Sequence, residues 1–128
     1  MIKILVVEDE KLLCDAYRKF LEKRDFNVDV CHDGEEALKY LEEHKPDLIL
    51  LDINMPNIDG VEFLERSRAI KRINKIPIIL ITGIIQTEKI GRCLDLGAAG
   101  YIEKANSPSD VISKIDSILG AVAKIPKK

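Results

Sequence analysis

Four places along the chain carry side chains that could do chemistry together: the acid run Glu8-Asp9-Glu10, then Asp52, Thr82 and Lys104. If Glu8, Asp9 and Asp52 share one crevice, their charges raise one another's pKa and strain the fold. A hard divalent cation relieves that repulsion. Mg2+ takes oxygen ligands in octahedral geometry and typically combines one or two carboxylates with phosphate oxygens. An acidic cluster of this kind therefore implies a metal, and the metal implies phosphate. Asp52 then has the role of a nucleophile, since a carboxylate attacking a phosphoryl group forms an acyl phosphate. Lys104 supplies a fixed positive charge for the same oxygens, and Thr82 a hydroxyl able to donate to one of them. Each residue also has a plainer reading: a solvated acidic rim, a surface lysine at a strand end, a threonine capping a turn before Gly83. The information lies in the set.

The elements that must bring this set together are legible. Short apolar runs rich in Val, Ile and Leu occur at Ile2–Val7, Asn27–Cys31, Asp47–Leu51, Pro77–Ile81 and Ala99–Ile102. They read as strands buried on both faces of a parallel sheet. Amphipathic stretches lie between them. Asp33-Gly34-Glu35-Glu36 and Asp59-Gly60-Val61-Glu62 each place an N-cap Asp three residues before a Glu. Ser107-Pro108-Ser109-Asp110 joins a cap, a proline at the first helical position and an acid in the first turn. Gly97 follows the end of the fourth helix at Leu94-Asp95-Leu96. The second helix has an apolar stripe at Ala37, Leu38 and Leu41, and the last at Val111, Ile112, Ile115, Ile118 and Leu119. Five βα units predict an α/β doubly wound sandwich with a five-stranded parallel sheet in the flavodoxin-like order 2-1-3-4-5. Ligands of such sheets sit beyond the C-terminal ends of the strands, where the order reverses. The acid run, Asp52, Thr82 and Lys104 end strands one, three, four and five.

Bulk composition narrows the function classes. The 128 residues, 46% hydrophobic and 33% charged, are enough for one domain with a proper core. Residues 1–124 read as that domain and 125–128 as a short basic tail or the start of a linker. A net charge of −2 gives no basic surface for nucleic acid. No apolar run approaches the roughly 20 residues of a membrane span, and the apolar N-terminus lacks a signal-peptide cleavage site. Cys14, Cys31 and Cys93, odd in number and widely spaced, read as reduced core thiols of a cytoplasmic protein. His32 and His44 have no partner pattern that would make either a ligand or a base.

The segments Ile4-Leu5-Val6-Val7-Glu8-Asp9-Glu10, Leu50-Leu51-Asp52-Ile53-Asn54-Met55-Pro56, Ile81-Thr82-Gly83 and Gly100-Tyr101-Ile102-Glu103-Lys104 resemble, in order and spacing, the signature segments of response-regulator receiver domains. The resemblance covers nearly the whole chain. It implies that Asp52 is the phosphorylated aspartate, Asp9 a direct metal ligand and Glu8 its water-mediated neighbour. Asn54 stands where the family gives a backbone carbonyl to the metal, which is Mg2+ or Mn2+. Thr82 matches the switch hydroxyl, Tyr101 the switch aromatic and Lys104 the phosphate-binding lysine. Taken alone, Tyr101 reads as a core aromatic of the fifth strand. The implied donor is a phosphohistidine on a sensor histidine kinase or a histidine phosphotransfer protein, with small acyl phosphates as substitutes. The implied output is a face of helix four, strand five and helix five, read by an output domain or target protein. Such a domain is a signalling module that catalyses its own phosphorylation and dephosphorylation. Residues two beyond the Asp and two beyond the Thr flank the path of attacking water in this family; here they are Asn54 and Ile84.

Three rivals share parts of the pattern. A flavin-mononucleotide binder would carry a Ser/Thr/Gly-rich phosphate loop after the first strand, where this chain has acids. A haloacid-dehalogenase-type phosphatase puts its nucleophile on the first strand with a second acid two residues on; Asn54 holds that second place here. A receiver-like interaction module without chemistry would have lost one of the acids or Lys104. The chain departs from the receiver pattern after the lysine, where Ala105 replaces the usual proline. A cis bond costs about 2.5–4 kcal/mol before a non-proline residue and roughly 0.5–1 before proline. The Lys104–Ala105 bond is therefore expected to be trans.

Overall fold

The computed structural model describes residues 1–55, 57–83, 87–104 and 106–123, with side chains through Gly120. Elements alternate as β1 (Lys3–Val7), α1 (Lys11–Lys23), β2 (Asn27–Cys31), α2 (Gly34–Tyr40), β3 (Leu48–Asp52), α3 (Gly60–Arg68), β4 (Ile78–Thr82), α4 (Thr87–Asp95), β5 (Gly100–Glu103) and α5 (Pro108–Ala123). The five strands form one parallel sheet in the order β2-β1-β3-β4-β5. Both architecture and order are those expected.

Local chemistry explains the element ends. Asp33 accepts from the Glu36 N–H at 2.8 Å, Asp59 from the Glu62 N–H at 3.1 Å, and the Ser107 hydroxyl from the Asp110 N–H at 3.3 Å. Each satisfies a donor that the first helical turn leaves unpaired. Gly97 ends α4 at φ +102°, a conformation in which a Cβ is strained. Strands β3, β4 and β5 begin and end one residue later than the apolar runs, so Asp52 and Thr82 are themselves the last residues of β3 and β4. The backbone ladder decides this: the Ile53 N–H still bonds the Ile81 carbonyl at 3.1 Å.

The sheet is covered on both sides. Leu5, Val7, Ile49, Leu51, Ile78 and Leu80 face α2, α3 and α4. Ile4, Val6, Leu48, Leu50, Ile79 and Ile81 face α1 and α5, meeting Tyr17, Leu21, Ile112 and Ile115. Strands β3 and β4 are buried along their whole lengths, and each Leu or Ile removed from water contributes about 1.5–3 kcal/mol. That packing makes the C-terminal edge of the sheet a rigid platform.

Tyr101 corrects the reading of it as a core aromatic: it is 40% exposed. Strand β5 lies at the edge of the sheet, with β4 on one side only. Its buried side chain is Ile102, which points into the α1–α5 face, and alternation turns Tyr101 to the opposite side, the side of its neighbour Leu80, where its place on the edge strand leaves it exposed.

Candidate functional site at the C-terminal edge of the sheet

Strand register sets the site. Val7 pairs with Leu51, Asp52 with Ile81, and Thr82 with Glu103, so the residues after β1, at the ends of β3 and β4, and after β5 converge. Glu8 and Asp52 are buried at 0% and 1% exposure, while Asp9 is exposed at the rim. Carboxylate oxygens of Glu8, Asp9 and Asp52 all lie within 4.8 Å of one another. Thr82 is buried beside them, at 1% exposure.

Lys104 crosses this acid cluster. Its Nζ lies 3.4 Å from Asp52 Oδ2, 3.3 Å from both Glu8 oxygens and 3.6 Å from Glu10 Oε1. The lysine stem passes above Gly83, its Cδ in ordinary contact distance of where a Cβ there would lie. Two backbone amides complete the frame: the Asn54 N–H donates to Asp52 Oδ1 at 3.1 Å, and the Glu10 N–H to Glu8 Oε2 at 3.0 Å. The loop after β3 is drawn tight by the Gly60 N–H bonding the Ile53 carbonyl at 2.8 Å. A Cβ at Gly60 would stand 2.9 Å from Ile53 Cα, so only glycine permits this closure.

The charges do not balance. Among the described residues, the Lys104 ammonium meets Glu8, Glu10 and Asp52, and Asp9 adds a further carboxylate to the cluster. Burial, then the neighbouring Asp52 charge, push the Glu8 carboxyl up to about 7 against the pull of the Glu10 amide and Lys104. Burial also raises Asp52, although Lys104 and the Asn54 amide oppose it. Burial pulls Lys104 down, but the Asp52 and Glu8 carboxylates outweigh it and hold the ammonium above its ordinary value. Among the described residues, Glu8 Oε1 is buried with no hydrogen bond; its contact with Lys104 is one of charge alone. A buried carboxylate oxygen without a donor is costly, and a hard cation is the partner that an all-oxygen donor set suits. Glu8, Asp9 and Asp52 thus fit a divalent metal by donor chemistry, spacing and uncompensated charge.

The structure gathers the sequence-predicted Glu8, Asp9, Asp52, Thr82 and Lys104 into one crevice, with Asn54 at its rim. Tyr101 stands apart on β5. Ile84, Ala105 and the Lys104–Ala105 bond lie outside the described residues. Sequence reasoning did not single out Lys89 of α4, whose Nζ reaches Asn54 Oδ1 at 3.3 Å and Asp59 Oδ2 at 3.4 Å. No local motif marks a contact across 35 positions. The three cysteines are buried and free, as expected. His32 and His44 lie outside the crevice, the first 3.9 Å from Cys14 Sγ and the second stacked on Tyr40. Among the described residues, no helix is long and apolar enough to cross a membrane.

A five-stranded sheet in this order, with an acid-lined crevice and one lysine at its edge, has close counterparts among known proteins. The family model of the response regulator receiver domain matches residues 4–116, and the chain belongs to that family. Among curated relatives, the alkaline phosphatase synthesis transcriptional regulatory protein PhoP of Bacillus subtilis is 39% identical over 119 residues, covering 91% of this chain and 48% of the relative. The transcriptional regulatory protein CpxR of Escherichia coli is 36% identical over 121 residues, 93% of this chain and 50% of the relative. The chain spans about half the length of the curated relatives it matches. Among solved structures, a CheY-like receiver domain protein from Methanospirillum hungatei superimposes with a TM-score of 0.91 at 30% identity, covering 97% of this chain and 98% of that one. The receiver domain of a signal transduction histidine kinase from Syntrophus aciditrophicus gives 0.88 at 26% identity, covering 100% and 97%. The protein is therefore a receiver domain of two-component signalling, a signalling module by class.

Proposed function

We propose that Asp52 accepts a phosphoryl group from a phosphohistidine on a sensor histidine kinase or histidine phosphotransfer protein, and that this resets a surface read by a target. The observation that carries the proposal is the meeting of Asp52 with Glu8 and Asp9 within 4.8 Å and with Lys104 Nζ at 3.4 Å. A nucleophilic carboxylate, an acidic metal cradle and one fixed cation form the equipment of phosphoryl transfer to an acid. Glu8, Asp9, Asp52 and the Asn54 backbone carbonyl would hold Mg2+ or Mn2+, which when bound neutralises charge on the transferring group.

The protein's own residues do the rest. Asp52 Oδ attacks phosphorus as the bond to the donor's imidazole nitrogen breaks, leaving its electron pair on that nitrogen. The Asn54 amide and Lys104 hold the carboxylate in place before attack, and Lys104 can then pair with a phosphoryl oxygen. The added group carries about −1.5 to −2 charge at neutral pH, so the Thr82 hydroxyl and Lys104 are drawn to it. Movement of Thr82 opens room for Tyr101 to turn inward from its exposed position. That remodels the face of α4, β5 and α5, a population shift in a two-state element. In this reading residues 1–124 belong to the receiver domain. The module acts in the cytoplasm on an output domain or separate target, without binding nucleic acid itself. The relatives that are transcriptional regulators support a genetic output for the longer proteins that carry such a domain.

The test is incubation with acetyl phosphate and Mg2+ followed by intact-mass analysis. One phosphoryl adduct is expected, absent in Asp52→Asn and in chelator. Equal labelling of Asp52→Asn would overturn the assignment.

A further inference from the structure

Lys89 is a further cation at this edge of the sheet. It lies in the first turn of α4 and is half-buried, with its ammonium shared between two acceptors: Asn54 Oδ1 at 3.3 Å and Asp59 Oδ2 at 3.4 Å. The two belong to different structures. Asp59 is the N-cap of α3. Asn54 is the exposed rim residue whose backbone N–H holds Asp52 Oδ1. An ammonium has donors only, so it fixes which end of the carboxamide faces it: the oxygen turns to Lys89 and the NH2 end is left for the solvent side.

We propose that Lys89 is a positioning residue that lengthens the life of the phosphoryl group on Asp52 by fixing the direction in which the Asn54 carboxamide oxygen points. The inference rests on Asp52 being the phosphoacceptor. In hydrolysis, a water oxygen bonds to phosphorus and the bond from phosphorus to the Asp52 oxygen breaks. Its electron pair returns to the carboxylate, and the water proton passes to phosphate or solvent. The attacking water must aim a lone pair at phosphorus and its hydrogens at acceptors. Asp52 is 1% exposed, so water reaches it past the rim, where Asn54 and Asp9 are exposed side chains among the described residues and Asn54 adjoins Asp52 through its backbone N–H. A free Asn54 carboxamide can turn its oxygen to that water and orient it; one tethered by Lys89 keeps its oxygen aimed at the ammonium, with one of its two lone pairs engaged. The NH2 end, a donor, cannot take over that role. An exposed charge contact of this kind is individually weak, so the effect is one of several-fold and not of orders of magnitude.

The first test is the first-order decay of phosphorylated protein at fixed Mg2+. Lys89→Met is expected to decay about threefold to tenfold faster, and Lys89→Arg close to the wild-type rate. In an Asn54→Ala background, Lys89→Met should change nothing, because the group through which it acts is gone. Asp59→Asn keeps the α3 cap but loses the ion pair, and is expected to leave the decay unaltered. If Asp59→Asn reproduces the Lys89→Met rate, or if Lys89→Met accelerates decay equally without the Asn54 side chain, the tether between α3 and α4 is responsible and the proposal falls. A second test needs no phosphorylation. The 15N relaxation of the Asn54 side-chain amide, assigned through Asn54→Ala, should report greater mobility in Lys89→Met than in wild type or Lys89→Arg. Equal mobility in all three would overturn the proposal. Failure of wild type to label at all would instead overturn the phosphoacceptor role of Asp52.

Discussion

Replacing Asp52 by Asn should stabilise the metal-free protein, and by an amount that grows with pH. Glu8 is wholly buried and its carboxyl is raised from 4.5 to about 7 by burial and then by Asp52. A folded-state value above the unfolded one means that the native protein holds the proton more tightly. The resulting stability is complete below about pH 4.5 and is lost as pH rises through about 7. A shift of that size corresponds to about 3 kcal/mol. The acid oxygens lie within 4.8 Å of one another, and at that limit two unit charges repel by roughly 3 kcal/mol at an effective dielectric constant of 20; Lys104, 3.3–3.4 Å from both acids, offsets much of it. Asn at position 52 removes the repulsion and keeps an oxygen for the Asn54 N–H. Lys104 retains Glu8 as a partner. The expected gain at pH 8 in chelator is about 1 kcal/mol, or about 4 °C in Tm for a chain of this size, and it should shrink towards pH 5 as Glu8 takes up its proton. Asp29, whose carboxyl is lowered chiefly by the Tyr40 hydroxyl, titrates in both proteins and cancels in the comparison. Urea unfolding of both proteins at pH 5, 6, 7 and 8 in EDTA measures the difference. A variant no more stable than wild type at pH 8, or a gain independent of pH, would refute the account of the crevice as an unbalanced buried acid cluster.

Added Mg2+ should raise wild-type stability by about 1.4 kcal/mol at ten times its dissociation constant. The rise should be smaller in Asp9→Asn and at pH 5, where protons compete for the same oxygens; thermal melts against Mg2+ concentration read it. Gly60→Ala should cost about 1–3 kcal/mol, because its Cβ would meet the Ile53 backbone at 2.9 Å. Gly91→Ala, in α4 with no atom of the described residues within 4 Å of its Cβ, should gain about 0.4–1 kcal/mol by the same denaturation assay. Ile84→Glu should shorten the life of the phosphorylated protein several-fold relative to wild type, an increase worth roughly 1 kcal/mol of barrier. Unchanged decay in a folded Ile84→Glu would remove Ile84 from the water path.

Much of this protein is written in short stretches of its sequence, because the physics involved is local. Asp33, Asp59 and Ser107 cap helices whose first amides lie three residues away, so the starts of α2, α3 and α5 could be read directly. Strands buried on both faces need unbroken apolar runs, and their alternation with helices restricts the sheet to few topologies. The polar residues that end such runs mark the crevice, which is why Glu8, Asp9, Asp52, Thr82 and Lys104 were legible together. Tertiary structure decided what depends on distance through space. Lys104 meets Glu8 across 96 positions, and only the packed sheet makes one ammonium answer several carboxylates and leaves Glu8 Oε1 without a hydrogen bond among the described residues. Tyr101 is exposed because β5 is an edge strand, a place in the sheet that no local pattern records. Gly60 is required by the approach of the Ile53 backbone, and Lys89 finds Asn54 only once α4 has docked beside the loop after β3. Charge balance, exposure and close approach are sums over neighbours that the chain brings together only by folding.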